Sequence, residues 1–180
     1  MKQRHPLIEA EAVAQELRAI LGPACQQIEV AGSIRRRVLQ VGDIELLCVP
    51  GTGGNQLHGA SSIFEQEILG LIKTGVLVYR LDQRGRRTFG PWNKYLVHRP
   101  SGVPVDIFAT TAQNRGMSLL VRTGPREWNI KVMSRFKALG MRGHAYGGVT
   151  DSHGRELGCP NEEGVFRLLG WRFVKPEDRG

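Results

Sequence analysis

The sequence predicts an α+β protein in two unequal parts, residues 1–112 and 113–180. Amphipathic helix spacing at 7–21 and 62–74 is interspersed with strand-like runs at 43–49, 76–81, 88–98 and 103–108. From about residue 113 the lettering changes to helices and turns with few strands. A chain of 180 residues can bury one good core, or two small subdomains that pack on each other.

The first helix, 7–21, places Leu7, Ala10, Val13, Leu17 and Ile20 on one side and stops at Gly22-Pro23. Val30-Ala31-Gly32-Ser33 follows as the end of a short strand feeding a turn. Glycine there permits close backbone approach, and Ser33 offers a hydroxyl and a helix N-cap. With Arg35 and Arg36 just behind, the turn suits phosphate, which binds well at helix starts and pairs with guanidinium groups. Gly42 then opens Asp43-Ile44-Glu45-Leu46-Leu47-Cys48-Val49, a strand bounded by Pro50. Residues two apart in a strand share a face, so Asp43 and Glu45 point one way, Ile44 and Leu46 the other. Alone, such a pair also fits a solvated edge strand. Beside a phosphate turn, two mutually repelling carboxylates call for a cation between them, and Mg2+ or Mn2+ is the natural choice for oxygen ligands.

Gly51-Thr52-Gly53-Gly54-Asn55 reads as a surface loop, without the G-K-[ST] ending of a P-loop. The helix at 62–74 runs through Ile63, Phe64, Ile68, Leu71 and Ile72. Two strands, 76–81 and 88–98, turn at Asp82–Arg87. That hairpin is basic and aromatic together (Arg84, Arg86, Arg87, Phe89, Trp92, Lys94, Tyr95), which suits phosphates laid over apolar packing, and equally a solvated hairpin over core aromatics. Val103-Pro104-Val105-Asp106-Ile107-Phe108 is a strand with one acid among apolar residues, costly to bury unpaired. If it neighbours the acidic strand with Asp106 on the shared face, three carboxylates converge as the ligand set of a two-metal site.

In the second part, Met117–Gly124 and Pro125 precede a helix from Arg126 to Leu139 carrying Trp128, Val132, Met133, Phe136 and Leu139. Lys131 and Arg135 on it are candidates for nucleic-acid contact or plain solvated charges. A small hairpin at 146–154 leads to a helix that Asn161 caps and Gly170 stops.

With 25 Lys+Arg against 17 Asp+Glu, the net charge of +8 favours a polyanionic partner over an acidic small molecule. No apolar run reaches the length of a membrane span and no signal peptide precedes the first helix, so a soluble intracellular protein is expected. Three widely spaced cysteines, Cys25, Cys48 and Cys159, with no CxxC indicate neither a disulfide framework nor a zinc site.

G-S-x-R-R, a spacer and G-D-[IVM]-[DE], present as Gly32-Ser33-Ile34-Arg35-Arg36 and Gly42-Asp43-Ile44-Glu45, resemble the palm signature of family X DNA polymerases, the DNA polymerase beta group. Further similarities run from Arg4-His5-Pro6, like the family's R-x-P, through Gly85-Arg86-Arg87-Thr88-Phe89, like its template hairpin, and Thr123-Gly124. They continue with Asn161-Glu162-Glu163-Gly164-Val165-Phe166-Arg167-Leu168-Leu169-Gly170, like its E-x-x-V-F-x-x-L-G helix, and end at the P-x-x-R tail of Pro176–Arg179.

The resemblance implies a nucleotidyltransferase palm over 1–112, a mixed or antiparallel sheet with helices on one face, and a small α/β thumb over 113–180. It implies catalytic, metal-holding Asp43, Glu45 and Asp106 with two divalent ions. Nucleotide binding would fall to Gly32, Ser33, Arg36, Gly42, Arg4, Arg122, Thr123, Gly124 and Asn129. DNA contacts would fall to Arg86, Arg87, Lys94, Lys131 and Arg135. The activity implied is template-directed addition of deoxynucleotides to a primer 3'-hydroxyl on primer–template or gapped DNA, by a monomer. Because the chain starts at the palm, a minimal form without the N-terminal lyase and helix-hairpin-helix domains is expected.

Two departures stand out. Val121-Arg122 replaces the family's aromatic pair before T-G, which leaves sugar selection open. Glu45 replaces an aspartate, which can shift the geometry or the metal preference. A template-independent or small-substrate nucleotidyltransferase and a catalytically silent DNA-binding module are the alternatives.

Overall fold

The computed structural model describes residues 3–51, 62–146 and 148–179. Positions 52–55 of the predicted glycine-rich loop lie outside them. In chain order the elements are β1 (His5–Pro6), α1 (Leu7–Leu21), β2 (Cys25–Val30), α2 (Gly32–Arg35), β3 (Gln40–Val41), β4 (Ile44–Pro50), α3 (Ile63–Lys73), β5 (Leu77–Tyr79), β6 (Asn93–His98) and β7 (Pro104–Ala109). There follow α4 (Arg115–Thr123), α5 (Arg126–Ala138), β8 (Arg142–His144), β9 (Gly148–Thr150), β10 (Glu156–Leu157) and α6 (Glu162–Leu169). The fold is α+β, as the sequence predicts.

A five-stranded mixed sheet in the order β2-β4-β7-β6-β5 organises the first part. β4 pairs antiparallel with β2 and parallel with β7; β6 is antiparallel to both β7 and β5. Strand alternation gives the sheet two different faces. Ile44, Leu46 and Cys48 of β4 with Val105 and Ile107 of β7 are buried with Ala10, Ala14, Leu17 and Leu21 of α1 and Phe64 and Ile68 of α3. The buried stripe of α1 ends on Leu21; the predicted Ile20 is partly exposed, because 10, 14, 17 and 21 form the tighter i+3/i+4 row. On the opposite face Leu47 and Phe108 pack with Ala31 and with Leu119 of α4. This second face also carries the acidic residues.

Two other expectations change in detail. The strand expected at 88–98 is cut to β6, because Gly90-Pro91-Trp92 turns the chain between Phe89 and Asn93. The turn before it closes on Asp82, whose Oδ1 accepts from the backbone of Arg84 (2.8 Å) and Arg86 (2.9 Å). The small hairpin near the end is a three-stranded antiparallel sheet, β10-β9-β8. Beside it Met117, Leu120, Val132, Phe136, Val149, Val165, Phe166 and Leu169 form a separate core. Asn161 caps α6 by accepting from Gly164 at 2.9 Å, and Gly170 ends it in the left-handed conformation, as predicted. Cys25, Cys48 and Cys159 are free thiols. Among the described residues no helix is long and apolar enough to cross a membrane.

Candidate active site

The register of two neighbouring strands builds the acidic face. In the parallel β4–β7 pair Glu45 lies directly opposite Asp106, with Asp43 two residues before Glu45 at the mouth of β4. The flanking Ile44, Leu46, Val105 and Ile107 turn into the core, which forces the carboxylates to the other face. Burial, then the charges of Asp43 and Asp106, push the Glu45 carboxyl up to about 8, against the opposing pull of Arg122 and Arg36. The three acids are therefore electrostatic neighbours. Asp106 meanwhile forms an ion pair with Arg80, Nη2 to Oδ1 at 2.6 Å, and Arg80 lies over the Tyr95 ring at 5.0 Å.

Among the described residues no three His, Cys, Asp or Glu side chains are gathered tightly enough to form a ready-made metal cage. The donor set nevertheless suits a hard divalent cation. It consists of carboxylate oxygens on one face; burial chiefly, and then repulsion from Asp43 and Asp106, raises Glu45, and a cation among them would relieve that repulsion.

The turn beside the acids is α2. Gly32 opens it at φ +64, a conformation that favours glycine, and a Cβ there would run into the Glu45 side chain, so glycine lets the turn close over this carboxylate. The helix follows Ala31 in the cap position with no side-chain cap bond, and Ser33 falls inside the first turn. The expected Ser33 N-cap is thus corrected: glycine's positive φ, not a capping hydroxyl, starts this helix. Arg36 donates Nη1 to the carbonyl of Thr123. Arg35 donates Nη1 to Thr123 Oγ1 at 2.8 Å and to Glu162 Oε1 at 3.0 Å. Both arginines of the turn so reach the Thr123-Gly124 corner.

That corner and Glu45 share a cavity of about 570 Å3 lined by Arg36, Glu45, Arg122, Thr123, Gly124 and Asn129 among others. Asn129 donates Nδ2 to the carbonyl of Val121 at 2.8 Å. Arg122 is stacked between Phe108 and Tyr146, 3.7 Å and 4.7 Å from their ring centroids. Gly42 is buried directly ahead of Asp43. Arg4 stays exposed and donates Nη1 to the carbonyl of Gln40 at 3.4 Å, two residues before Gly42.

The basic residues expected to meet nucleic acid divide. Arg86 and Arg87 are exposed on the hairpin, Arg86 paired with Asp82 at 2.8 Å and Arg87 over the Tyr79 ring at 4.8 Å. Lys131 is exposed on α5. Lys94 is a correction: it is 3 % exposed, its Nζ donates to the carbonyl of Gly90 at 2.7 Å, and it lies between the Phe64 and Phe89 rings. Strand alternation turns Lys94 inward with Leu96 and His98, so it is not a surface contact. Arg135 donates Nε to the last carbonyl of α6, Leu169, at 3.1 Å, a cation at a helix C-terminus.

Reading motifs singly misses Arg80 and the Arg35–Glu162–Arg179 group, of which Glu162 and Arg179 are buried. The available signal for the latter was the acid that opens the E-x-x-V-F run and the arginine of the P-x-x-R tail.

Comparison with known proteins adds three findings. The family described as DNA polymerase beta thumb matches residues 118–180. No curated protein matches the sequence. A solved structure described as Leishmania infantum polymerase beta in a ternary P/T complex aligns with a TM-score of 0.75 at 18 % identity, over 99 % of this chain and 77 % of that one. The chain therefore has a polymerase beta-like fold, and its residues 118–180 match the polymerase beta thumb family.

Proposed function

We propose that this chain is a DNA-directed DNA polymerase that adds deoxynucleotides to a primer 3'-hydroxyl, suited to short gap-filling synthesis. The observation that carries the reading is the pairing of Glu45 with Asp106 across neighbouring strands, beside a glycine-opened turn that closes on Glu45. In this reading residues 1–112 are the palm and 113–180 the thumb.

Asp43, Glu45 and Asp106 would hold two divalent ions, Mg2+ or Mn2+, which when bound neutralise charge at the phosphates and activate the 3'-hydroxyl. The remaining work belongs to the chain. Arg36, the Gly32 backbone and Ser33 bind the triphosphate and aim its α-phosphorus at the primer terminus. Arg4 stands by as a further cation at the same edge. Asp106 accepts the hydroxyl proton at its carboxylate, once it is released from Arg80. Thr123, Gly124 and Asn129 line the wall against which the nucleotide rests. Arg86, Arg87 and Lys131 supply exposed positive charge for the DNA backbone, which makes binding salt-dependent.

Primer extension tests the proposal on gapped, recessed and single-stranded DNA, with one nucleotide at a time. Incorporation that follows the template base supports it. Indiscriminate addition replaces it with a terminal transferase, and DNA binding without addition replaces it with a silent binding module.

A further inference from the structure

Arg122 is held in a way that suits neither a solvated charge nor a mobile phosphate hook. α4 delivers it one residue before Thr123, into the cavity that Arg36 and Glu45 line. Its guanidinium is clamped between Phe108 and Tyr146, and its Nε is buried with no hydrogen-bond partner among the described residues. Swinging out to a phosphate would give up two cation–π contacts at once.

The clamp has a definite place on the sheet. Phe108 follows Asp106 by two residues on β7, so it shares that face one pleat along, and its partner Leu47 follows Glu45 by two on β4. The positive charge thus lies next to the carboxylates, in a setting where water screens it poorly. Of the two arginines whose charge acts on Glu45, Arg122 acts more strongly than Arg36.

We infer that Arg122 is a positioning residue, a fixed internal counter-charge that holds the carboxylates of Asp43, Glu45 and Asp106 together and weakens their affinity for a divalent cation. Aromatic clamping keeps this charge in place whether or not a cation is bound, so the site demands a higher cation concentration than the same three acids would alone. The inference rests on the reading of these acids as a cation site.

The test is a titration of the full chain with Mn2+ at low ionic strength, following free ion by electron paramagnetic resonance. Wild type is compared with Arg122→Met, Arg122→Lys and Asp43→Asn. Arg122→Met removes the charge while keeping a long side chain between the rings, and should bind Mn2+ on the order of tenfold more tightly. Arg122→Lys keeps the charge and should stay near wild type. Asp43→Asn should weaken binding. Unchanged or weaker binding by Arg122→Met, or equal tightening by the lysine variant, overturns the counter-charge role. Unaltered binding by Asp43→Asn overturns the cation-site reading itself.

Discussion

Arg35 and Glu162 meet fork to fork although 127 residues separate them, with Nη1 donating to Oε1 at 3.0 Å and Nη2 to Oε2 at 2.7 Å. Arg179 donates Nη1 to the same Oε1 at 2.8 Å, so one carboxylate balances two guanidinium groups. Burial alone would raise the Glu162 carboxyl, but the hydrogen bonds and charges of Arg35 and Arg179 outweigh it and hold it below the ordinary range. The α2 turn, the start of α6 and the Arg179 segment are fastened at this one point.

Removing the shared carboxylate should therefore be severe. Glu162→Gln keeps the volume but leaves two guanidinium groups short of a counter-charge, and should cost about 3–5 kcal/mol in urea denaturation. The native carboxyl is lowered, so its contribution is present above the ordinary value of 4.5 and is lost as pH falls through the still lower native value. Wild type should show this acid loss of stability, and Glu162→Gln should lack that part of it. A variant within 1 kcal/mol of wild type would contradict the picture.

Glu45 behaves in the opposite sense. Its carboxyl is raised to about 8 from 4.5, so the folded chain binds more protons than the unfolded chain between those values, and stability falls as pH rises through that window. Without divalent cation, Glu45→Gln should raise stability at pH 7 by on the order of 2 kcal/mol while abolishing the proposed nucleotidyl transfer. Thermal melts at several pH values check the first half and primer extension the second.

The hairpin's charges separate by position. Arg84→Ala and Arg87→Ala should each weaken DNA binding uniformly across sequences and reduce the salt slope by about one. Lys94→Met should leave the slope unchanged, since Lys94 is buried on the inner face of β6. Fluorescence anisotropy at several salt concentrations distinguishes the three, and a slope change with Lys94→Met would return that residue to the surface role.

The acidic face was legible because two local rules sufficed: alternation puts Asp43 and Glu45 on one side, and Asp106 sits in a run of the same character. That β4 and β7 are adjacent and aligned at Glu45 and Asp106 is a tertiary fact. The motif order implies it, while periodicity does not. Lys94 went astray because a basic residue in an aromatic hairpin looks solvated until the alternation of β6 is fixed by its pairing with β7, and that register depends on where Gly90-Pro91 breaks the strand. The Ser33 cap failed on a two-residue shift, since Gly32 is itself the first helical residue and Ala31 takes the cap position. The Arg35–Glu162–Arg179 group and the Arg80–Asp106 pair were not legible, because the partners lie far apart in sequence and an ion pair between distant segments leaves no local pattern. Arg122 was legible as a departure from the expected aromatic pair; its clamp between Phe108 and Tyr146 needed the fold.

The most direct measurement is single-nucleotide extension of a primer on gapped DNA in the presence of Mg2+ or Mn2+, comparing wild type with Asp106→Ala and with chelator added. Incorporation that follows the template base, lost on chelation and reduced about 10³-fold or more by Asp106→Ala, is the expected result. Template-directed incorporation that survives Asp106→Ala, or DNA binding with no incorporation under any of these conditions, would contradict the account.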